Sequence, residues 1–258
     1  MRQAGLHLHH GRPVKPMPHS EHGRSCGVGF LCREGLPVIP VPLSTPAWRR
    51  LVAVRRLHGV RLAPRAGLPQ GLRLSSVYAP LQEQEEARAC FDDALLEVVH
   101  SLDMQVPTLI LGDFNGSVCP ARDYQGRSGA RRSVCALLGH LLGPSSPWVD
   151  VHESLLPGPL PMTFHNAHST RESMASRIDL VLANGPALRL CTCASVQGEI
   201  RDGGHCRVLV TLGSLTGSPG VNPGAIVWQC PRPRPPAWLC RPSSDLLGSA
   251  RWDELMTL

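Results

Sequence analysis

The most constraining feature of the sequence is a long amphipathic segment that leads directly into a short, wholly apolar one. After Tyr78-Ala79-Pro80 come three glutamates, whose carboxylates favour the positive amino-terminal end of a helix. Apolar residues then recur at spacings of three and four, which predicts a helix. These residues are Phe91, Leu95, Val98 and Leu102. The apolar run Thr108-Leu109-Ile110-Leu111 is predicted as a buried strand. A helix followed by such a strand favours a layered α/β domain.

Short strand-like runs precede this unit and are separated by turns rich in glycine and proline. They cover Val28 to Cys32, Leu51 to Val54 and Leu72 to Val77, and they predict a mostly antiparallel meander.

Further elements follow the unit. A second amphipathic helix is predicted from Val134 to Leu141, and strands are predicted at Ile178 to Leu182, with a period of two, and at Val208 to Val210. The sequence therefore predicts one α/β domain that ends near Leu212.

Composition shifts set the predicted boundaries. Residues 1–22 are polar and rich in histidine and proline, and we interpret them as a disordered arm. His7, His9 and His10 in this arm could bind a metal adventitiously, but a solvated tail is the favoured explanation. Residues 23–213 form the predicted domain, and residues 214–258 are predicted to be a proline-rich linker or tail.

The basic character of the chain comes almost entirely from arginine. Lys15 is the only lysine among 26 basic residues, and the net charge is +6. Arginine binds phosphate through a planar fork, which favours a nucleic-acid partner. A GC-rich coding bias would give the same composition without any such function.

Cysteine usage and hydropathy indicate the compartment. Ten cysteines occur without paired C-x-x-C motifs, which favours free thiols in a reducing compartment over a structural metal site. The amino terminus lacks the apolar core of a signal peptide, and no apolar run reaches the length of a membrane span. We therefore predict an intracellular protein that is not secreted and does not cross a membrane.

Three polar clusters stand next to predicted strands. Asp113 and Asn115 follow the buried strand, and if the strand continued through Phe114 their side chains would share one face. A carboxylate and an amide there could orient a water molecule and hold a hard cation such as Mg²⁺. Asp, Asn and Gly are also the usual residues of a turn, so this pattern alone leaves both interpretations open.

The second cluster is Ser176 to Asp179, and the third is Asp202 to His205. Asp179 alternates with the apolar residues of its strand and could reach a polar site, or it could simply pair with Arg177 at the surface. His205 could donate a proton or stabilise charge on a phosphoryl oxygen, with Asp179 fixing its tautomer.

In this order and spacing the clusters resemble the endonuclease/exonuclease/phosphatase family, which has the DNase-I-like fold. Tyr78 to Pro80 resembles the family's Tyr-x-Pro strand end, and Leu111 to Asn115 resembles its Gly-Asp-Phe-Asn motif. Ser176 to Asp179 resembles its Ser-Arg-Ile-Asp motif, and His205 resembles the histidine of its closing Ser-Asp-His. The sequences of these motifs are most similar to those in the endonuclease domains of non-LTR retrotransposons.

The resemblance implies a four-layered α/β sandwich and hydrolysis of phosphodiesters. It assigns Asp113 to orienting or deprotonating the attacking water, with Asn115 beside it. It assigns His205, held by Asp179, to stabilising phosphorane charge, and Tyr78 to contacting the phosphate. Arg177 is expected to bind substrate. The implied cofactor is Mg²⁺, with Mn²⁺ as the alternative. The implied partner is DNA, acted on in the nucleus by a domain fused to a reverse transcriptase in the intact element.

Two departures from the family pattern define the competing hypotheses. The family begins with a strand that carries an Asn, followed by a Gln-Glu motif whose Glu binds the metal. Neither feature has a counterpart near Glu21 or Glu34, which indicates an amino-terminal truncation. Gly204 also replaces the acid beside the histidine, leaving Asp202 as the substitute metal ligand. The alternatives to an active endonuclease are therefore an inactive remnant that at most binds nucleic acid, and a phosphatase or phosphodiesterase acting on a lipid head group.

Overall fold

The structure is a computed structural model. It describes residues 6–10, 28–33, 36–42, 44–65, 68–125, 134–166, 174–197, 204–213 and 225–228. The helices are α1 (Pro46–Ala53), α2 (Glu85–His100), α3 (Pro120–Asp123), α4 (Ala136–Leu141), α5 (Val151–Leu155) and α6 (Gly185–Leu188). The strands are β1 (Leu6–His10), β2 (Gly29–Arg33), β3 (Val38–Pro40), β4 (Leu57–Leu62), β5 (Leu72–Tyr78), β6 (Thr108–Asp113), β7 (Tyr124–Gln125), β8 (Trp148–Asp150), β9 (Phe164–Asn166), β10 (Met174–Ser176), β11 (Asp179–Asn184), β12 (Cys191–Gln197), β13 (Arg207–Leu212) and β14 (Ala225–Trp228).

A central six-stranded sheet organises the molecule and confirms the predicted α/β class. Its strand order is β3-β4-β5-β6-β11-β8. The first three strands form an antiparallel meander, whereas β5 and β6 are parallel because α2 crosses over between them. Of the three runs predicted to form a meander, only Leu72 to Val77 lies in this one, and the run from Val28 to Cys32 corresponds to β2, which pairs with β1 in a separate sheet. Strands β11 and β6 are antiparallel.

Both faces of the central sheet are covered. Ile110 of β6 packs with Trp48 and Phe91 in a core shared with helices α1, α2 and α4. Leu109 and Leu111, on the opposite face of the same strand, pack in a second core with β12 and β13 of a smaller sheet. All six residues of β6 are buried, which explains why its sequence is continuously apolar up to its end.

The prediction of a strand over Leu51 to Val54 is wrong, because these residues belong to α1 and its carboxyl-terminal cap. The Thr45 side chain accepts a hydrogen bond from the backbone N–H of Trp48 at 3.1 Å, and Pro46 occupies the first turn. Both features start helices. A four-residue apolar run is too short for its periodicity to distinguish a helix from a strand.

The predicted terminal segments also contain strands. The prediction of a disordered arm is wrong for Leu6–His10, which pairs antiparallel with β2, and the rest of residues 1–22 lies outside the described residues. In the predicted tail, Ala225–Trp228 pairs with β13, while the other residues of 214–258 lie outside the described part. Alternating leucines in β1 and the β-branched and aromatic residues of β14 suit strands.

The two predicted helices are confirmed with shorter bounds. Helix α2 begins at Glu85 and ends at His100, and α4 begins at Ala136, so Val134 precedes it and is exposed. No helix in the described ranges is both long enough and apolar enough to cross a membrane.

Candidate active site

Three adjacent strands of the central sheet bring polar side chains to one edge. Tyr78, at the end of β5, lies in register with Asp113, at the end of β6. Asp179, the first residue of β11, lies opposite Asp113 on the other side. Asp113 and Asp179 are buried, whereas Tyr78 is half-buried. Parallel and antiparallel pairing thus place residues from three separate sequence motifs side by side.

His205 joins this edge from the turn before β13. Its Nδ1 lies 3.0 Å from Oδ2 and 3.2 Å from Oδ1 of Asp179. The imidazole packs against the ring of Phe164, with centroids 4.7 Å apart. The Thr163 hydroxyl accepts hydrogen bonds from the backbone N–H groups of Asp179 at 3.0 Å and of Ile178 at 3.1 Å. These contacts fix the orientation of both Asp179 and His205.

Asn115 reaches the site through a turn, because β6 ends at Asp113, so of the two interpretations left open by the sequence the turn applies. The backbone of Asn115 has a φ of 44°, in the left-handed region that asparagine tolerates. Its N–H donates to Oδ1 of Asp113 at 2.8 Å, and its side-chain amide donates to the Ala79 carbonyl at 2.8 Å. Asn115 therefore joins the end of β5 to the end of β6.

Arg88 is a residue of this region that the sequence patterns did not reveal as functional. Its guanidinium is buried and donates to the carbonyls of Pro80 at 3.1 Å and of Phe114 at 2.8 Å. An ion pair with Asp92 at 2.8 Å compensates its charge. The signal was available, because Arg88 occupies the apolar stripe of α2 three residues before Phe91. Arg88 holds the two strand ends at a fixed separation.

Arg56 adds a positive charge near Tyr78. Its guanidinium carbon lies 4.7 Å from the centre of the Tyr78 ring, and it donates to the Tyr78 carbonyl at 3.3 Å. This cation–π contact places a half-buried arginine at the edge of the candidate site.

The electrostatics of the two aspartates are unusual. Burial raises the pKa of Asp113 to about 7, and the nearby Asp179 carboxylate contributes to the rise. Burial also raises the pKa of Asp179, although its hydrogen bond to His205 acts in the opposite direction. Removing water from two neighbouring carboxylates disfavours their simultaneous ionisation, and perturbations of this kind are typical of functional sites.

The residues present fit a divalent cation. One ligand atom each from Asp113, Asp179 and His205 lies within 4.8 Å of the others. Two oxygens bound to one Mg²⁺ at about 2.1 Å are separated by at most about 4.2 Å, so a shift of less than about 1 Å would suffice. The two carboxylates supply the hard oxygen donors that Mg²⁺ or Mn²⁺ requires, and a cation would offset their repulsion.

Arg177 lies apart from this cluster. Its side chain is buried, with Nε 3.0 Å from Oδ1 of Asp123 and Nη1 in contact with Oδ2 of Asp150. Asp179 is therefore not an exposed partner of Arg177, as one interpretation of the sequence held. The structure does not place the Arg177 guanidinium where the other predicted site residues meet.

The turn before His205 explains the glycine in the closing motif. Gly204 has a φ of +82°, and a Cβ on it would lie 2.3 Å from the carbonyl oxygen of His165. The Gly204 carbonyl also accepts a hydrogen bond from the His165 N–H. An aspartate cannot occupy this position without a backbone shift. Asp202, the proposed substitute ligand, lies outside the described residues.

Comparison with known proteins gives similarities only among solved structures. No family model matches the chain, and no curated protein matches it. The catalytic domain of Xenopus laevis APE2 is 20% identical with a TM-score of 0.47, and the alignment covers 62% of this chain and 56% of that domain. This chain therefore spans little more than half the length of the APE2 domain.

Two further structures cover more of the chain. The endonuclease domain of TRAS1, a telomere-specific non-LTR retrotransposon, is 15% identical over 78% of this chain and 77% of that chain, with a TM-score of 0.49. The Neisseria 3′ phosphatase NExo, bound to a product DNA hairpin, is 16% identical over 68% and 70%, with a TM-score of 0.49. These neighbours are DNase-I-like proteins, the family whose motifs the sequence resembles. At identities of 15–20% this likeness assigns no activity to the chain.

Proposed function

We propose that this chain hydrolyses phosphodiester bonds in DNA, with Asp113, Asp179 and His205 at the catalytic centre. The observation that carries the proposal is the meeting of these three residues, whose ligand atoms lie within 4.8 Å although they come from separate motifs. Convergent titratable groups with perturbed pKa values at a sheet edge are the usual mark of an active site.

Asp113 is proposed to orient the attacking water and accept its proton. Burial raises the pKa of Asp113 to about 7 without a metal, and a bound cation would lower it, which favours the ionised carboxylate that accepts a proton at neutral pH. The Asn115 N–H holds one oxygen of the carboxylate at 2.8 Å. The other oxygen is the one we assign to the water.

His205 is proposed to stabilise the charge that develops on the phosphoryl oxygen. With one proton on Nδ1, 3.0 Å from the Asp179 carboxylate, and a second on Nε2, the imidazolium would donate from Nε2 to that oxygen, and Asp179 would balance its charge. Tyr78 would contact the phosphate, and Arg56 beside it would supply positive charge.

A divalent ion, Mg²⁺ or Mn²⁺, would be held by the carboxylates of Asp113 and Asp179. When bound, it would supply charge neutralisation at the phosphoryl oxygens. Asn115 remains a further proposed ligand through its side-chain oxygen, since its amide nitrogen is occupied by the Ala79 carbonyl.

DNA is proposed as the substrate because the chain is basic and because its motifs resemble retrotransposon endonucleases. On this proposal the enzyme acts in the nucleus and is fused to a reverse transcriptase in the intact element.

One structural observation favours a second candidate function, an inactive remnant that binds nucleic acid without cleaving it. The left-handed turn at Gly204 leaves no space for the acidic side chain that the family carries beside the histidine. The two functions make opposite predictions for cleavage.

The test is nicking of supercoiled plasmid in Mg²⁺, comparing the full chain with His205→Ala. The control is His140→Ala, which removes an exposed histidine from α4, outside the site. We expect His205→Ala to lower the nicking rate by about 10²- to 10⁴-fold, the usual contribution of a positioned acid or base. Chelation by EDTA should abolish nicking.

If the unmodified chain nicks no faster than His205→Ala, the enzymatic proposal is wrong. Retardation of labelled DNA by both proteins would then support the binding remnant.

A further inference from the structure

Two histidines meet away from the candidate active site, at the ends of two packed helices. His100 is the last residue of α2, and His140 lies in the last turn of α4. Their Nε2 atoms are 3.4 Å apart, and both side chains are exposed. The chain enters β6 a few residues after His100, whereas Asp113 lies at the far end of that strand. The histidine pair and the aspartate pair are therefore at opposite ends of β6.

The geometry of the pair differs from that of a simple hydrogen bond. A normal N–H···acceptor distance is about 2.9–3.0 Å, so the separation of 3.4 Å is long. Two imidazole nitrogens bound to one tetrahedral Zn²⁺ at about 2.0–2.1 Å are about 3.3–3.4 Å apart. The rings are inclined at 75°, which excludes parallel stacking as the cause of their approach. The spacing therefore matches two ligands of a single metal ion.

The surroundings favour a cation. Both histidines lie at carboxyl-terminal helix ends, where unpaired carbonyls concentrate partial negative charge. The pair lines a cleft of about 440 Å³ together with Met104, Ser145 and Ser146. This cleft has room for water molecules or a thioether to complete the coordination. The described residues that line it include no lysine or arginine to compete with a metal.

We infer that His100 and His140 form a binding site for one divalent transition-metal ion of the Zn²⁺ class. Imidazole nitrogen suits Zn²⁺, Cu²⁺ and Ni²⁺, whereas Mg²⁺ prefers oxygen ligands. The site is thus chemically distinct from the proposed carboxylate centre. A metal bound here links the carboxyl ends of α2 and α4, whose side chains share one hydrophobic core. Binding to the folded state alone stabilises that state.

The experiment measures Zn²⁺ binding to the full chain by competition with a chromophoric chelator. The variants are His100→Ala, His140→Ala and the double variant, and His22→Ala is the matched control for loss of a histidine. We expect each single variant to lose one equivalent of bound Zn²⁺ and the double variant to lose no more, because a chelate needs both ligands. We also expect Zn²⁺ to raise the melting temperature of the unmodified chain and of His22→Ala more than that of the three variants.

Three outcomes would overturn the inference. One is that the variants bind as many equivalents of Zn²⁺ as the unmodified chain, which would place the bound metal elsewhere. Another is a double variant that loses twice what each single variant loses, which would indicate two independent histidines. The third is an equal rise in melting temperature for all proteins. Melting temperatures without metal verify that the variants are folded, and the assay needs no nuclease activity.

Discussion

Replacing Asp113 by asparagine should stabilise the protein above neutral pH while removing its proposed activity. Asp113 is buried beside Asp179, and both effects raise its pKa from 3.8 to about 7. Asparagine has the same shape, keeps an oxygen for the Asn115 N–H and never ionises. The substitution therefore removes the unfavourable charge without leaving a cavity.

The magnitude follows from proton linkage. Between pH 3.8 and about 7 the unfolded chain has released the Asp113 proton while the folded chain retains it, so stability falls as the pH rises through this window. At about 1.4 kcal/mol for each tenfold change in proton affinity, the complete effect is about 4 kcal/mol. Asp113→Asn should thus be more stable than the unmodified chain by up to about 4 kcal/mol at pH 8, with little difference near pH 4.

The assay is urea denaturation of both proteins at several pH values from 4 to 8, in EDTA so that no divalent ion offsets the charge. Asp103→Asn, at an exposed aspartate beyond α2, is the matched control. In a parallel series with Mg²⁺ in place of EDTA, the stability of the unmodified chain at pH 8 should rise and that of Asp113→Asn should stay unchanged. If Asp113→Asn loses stability between pH 4 and 8 as steeply as the unmodified chain does, the reasoning about this buried carboxylate is refuted.

The remaining predictions concern other positions. Gly204→Asp, which recreates the family's acid, should lower the free energy of unfolding by at least about 1–3 kcal/mol, because its Cβ would meet the His165 carbonyl. It should give no gain in nicking rate, and a faster nuclease would contradict this. Arg177→Met should cost about 3–5 kcal/mol in urea denaturation, because it removes the buried cation that pairs with both Asp123 and Asp150 and leaves only the half-buried Arg122 paired with Asp123. A stable Arg177→Met protein with only a raised KM for DNA would instead restore Arg177 as a substrate-binding residue.

The sequence predicted the elements whose patterns are long or continuous. Helix α2 buries apolar residues at helical spacing from Phe91 to Val99, and β6 is continuously apolar from Leu109 to Leu111 because both of its faces are buried. The apolar run from Leu51 to Val54 was wrongly predicted to be a strand, because its helical conformation depends on the cap at Thr45 and on burial of Trp48 and not on the run itself.

The strand at Leu6–His10 was not predicted from the sequence, for another reason. Its formation depends on pairing with β2, about twenty residues further along the chain, and composition in a polar segment does not reveal such a partner.

The sequence by itself determined which chemistry is available: a carboxylate and an amide after β6, a carboxylate at the start of β11, and a histidine before β13. Their order and local motifs were sufficient to predict a phosphodiesterase-like set. Only the tertiary structure decided which of them meet. Strand register places Asp179 opposite Asp113, and a turn 26 residues further on carries His205 to Asp179.

The tertiary structure also separated residues that the sequence put together. Arg177 and Asp179 are two positions apart, yet the arginine is buried with Asp123 and Asp150 while the aspartate bonds His205. The physical reason is that local sequence fixes conformation and residue type, whereas the partner of a buried charge depends on contacts between distant segments. The environment made by those contacts, and not the motif, sets the pKa of Asp113.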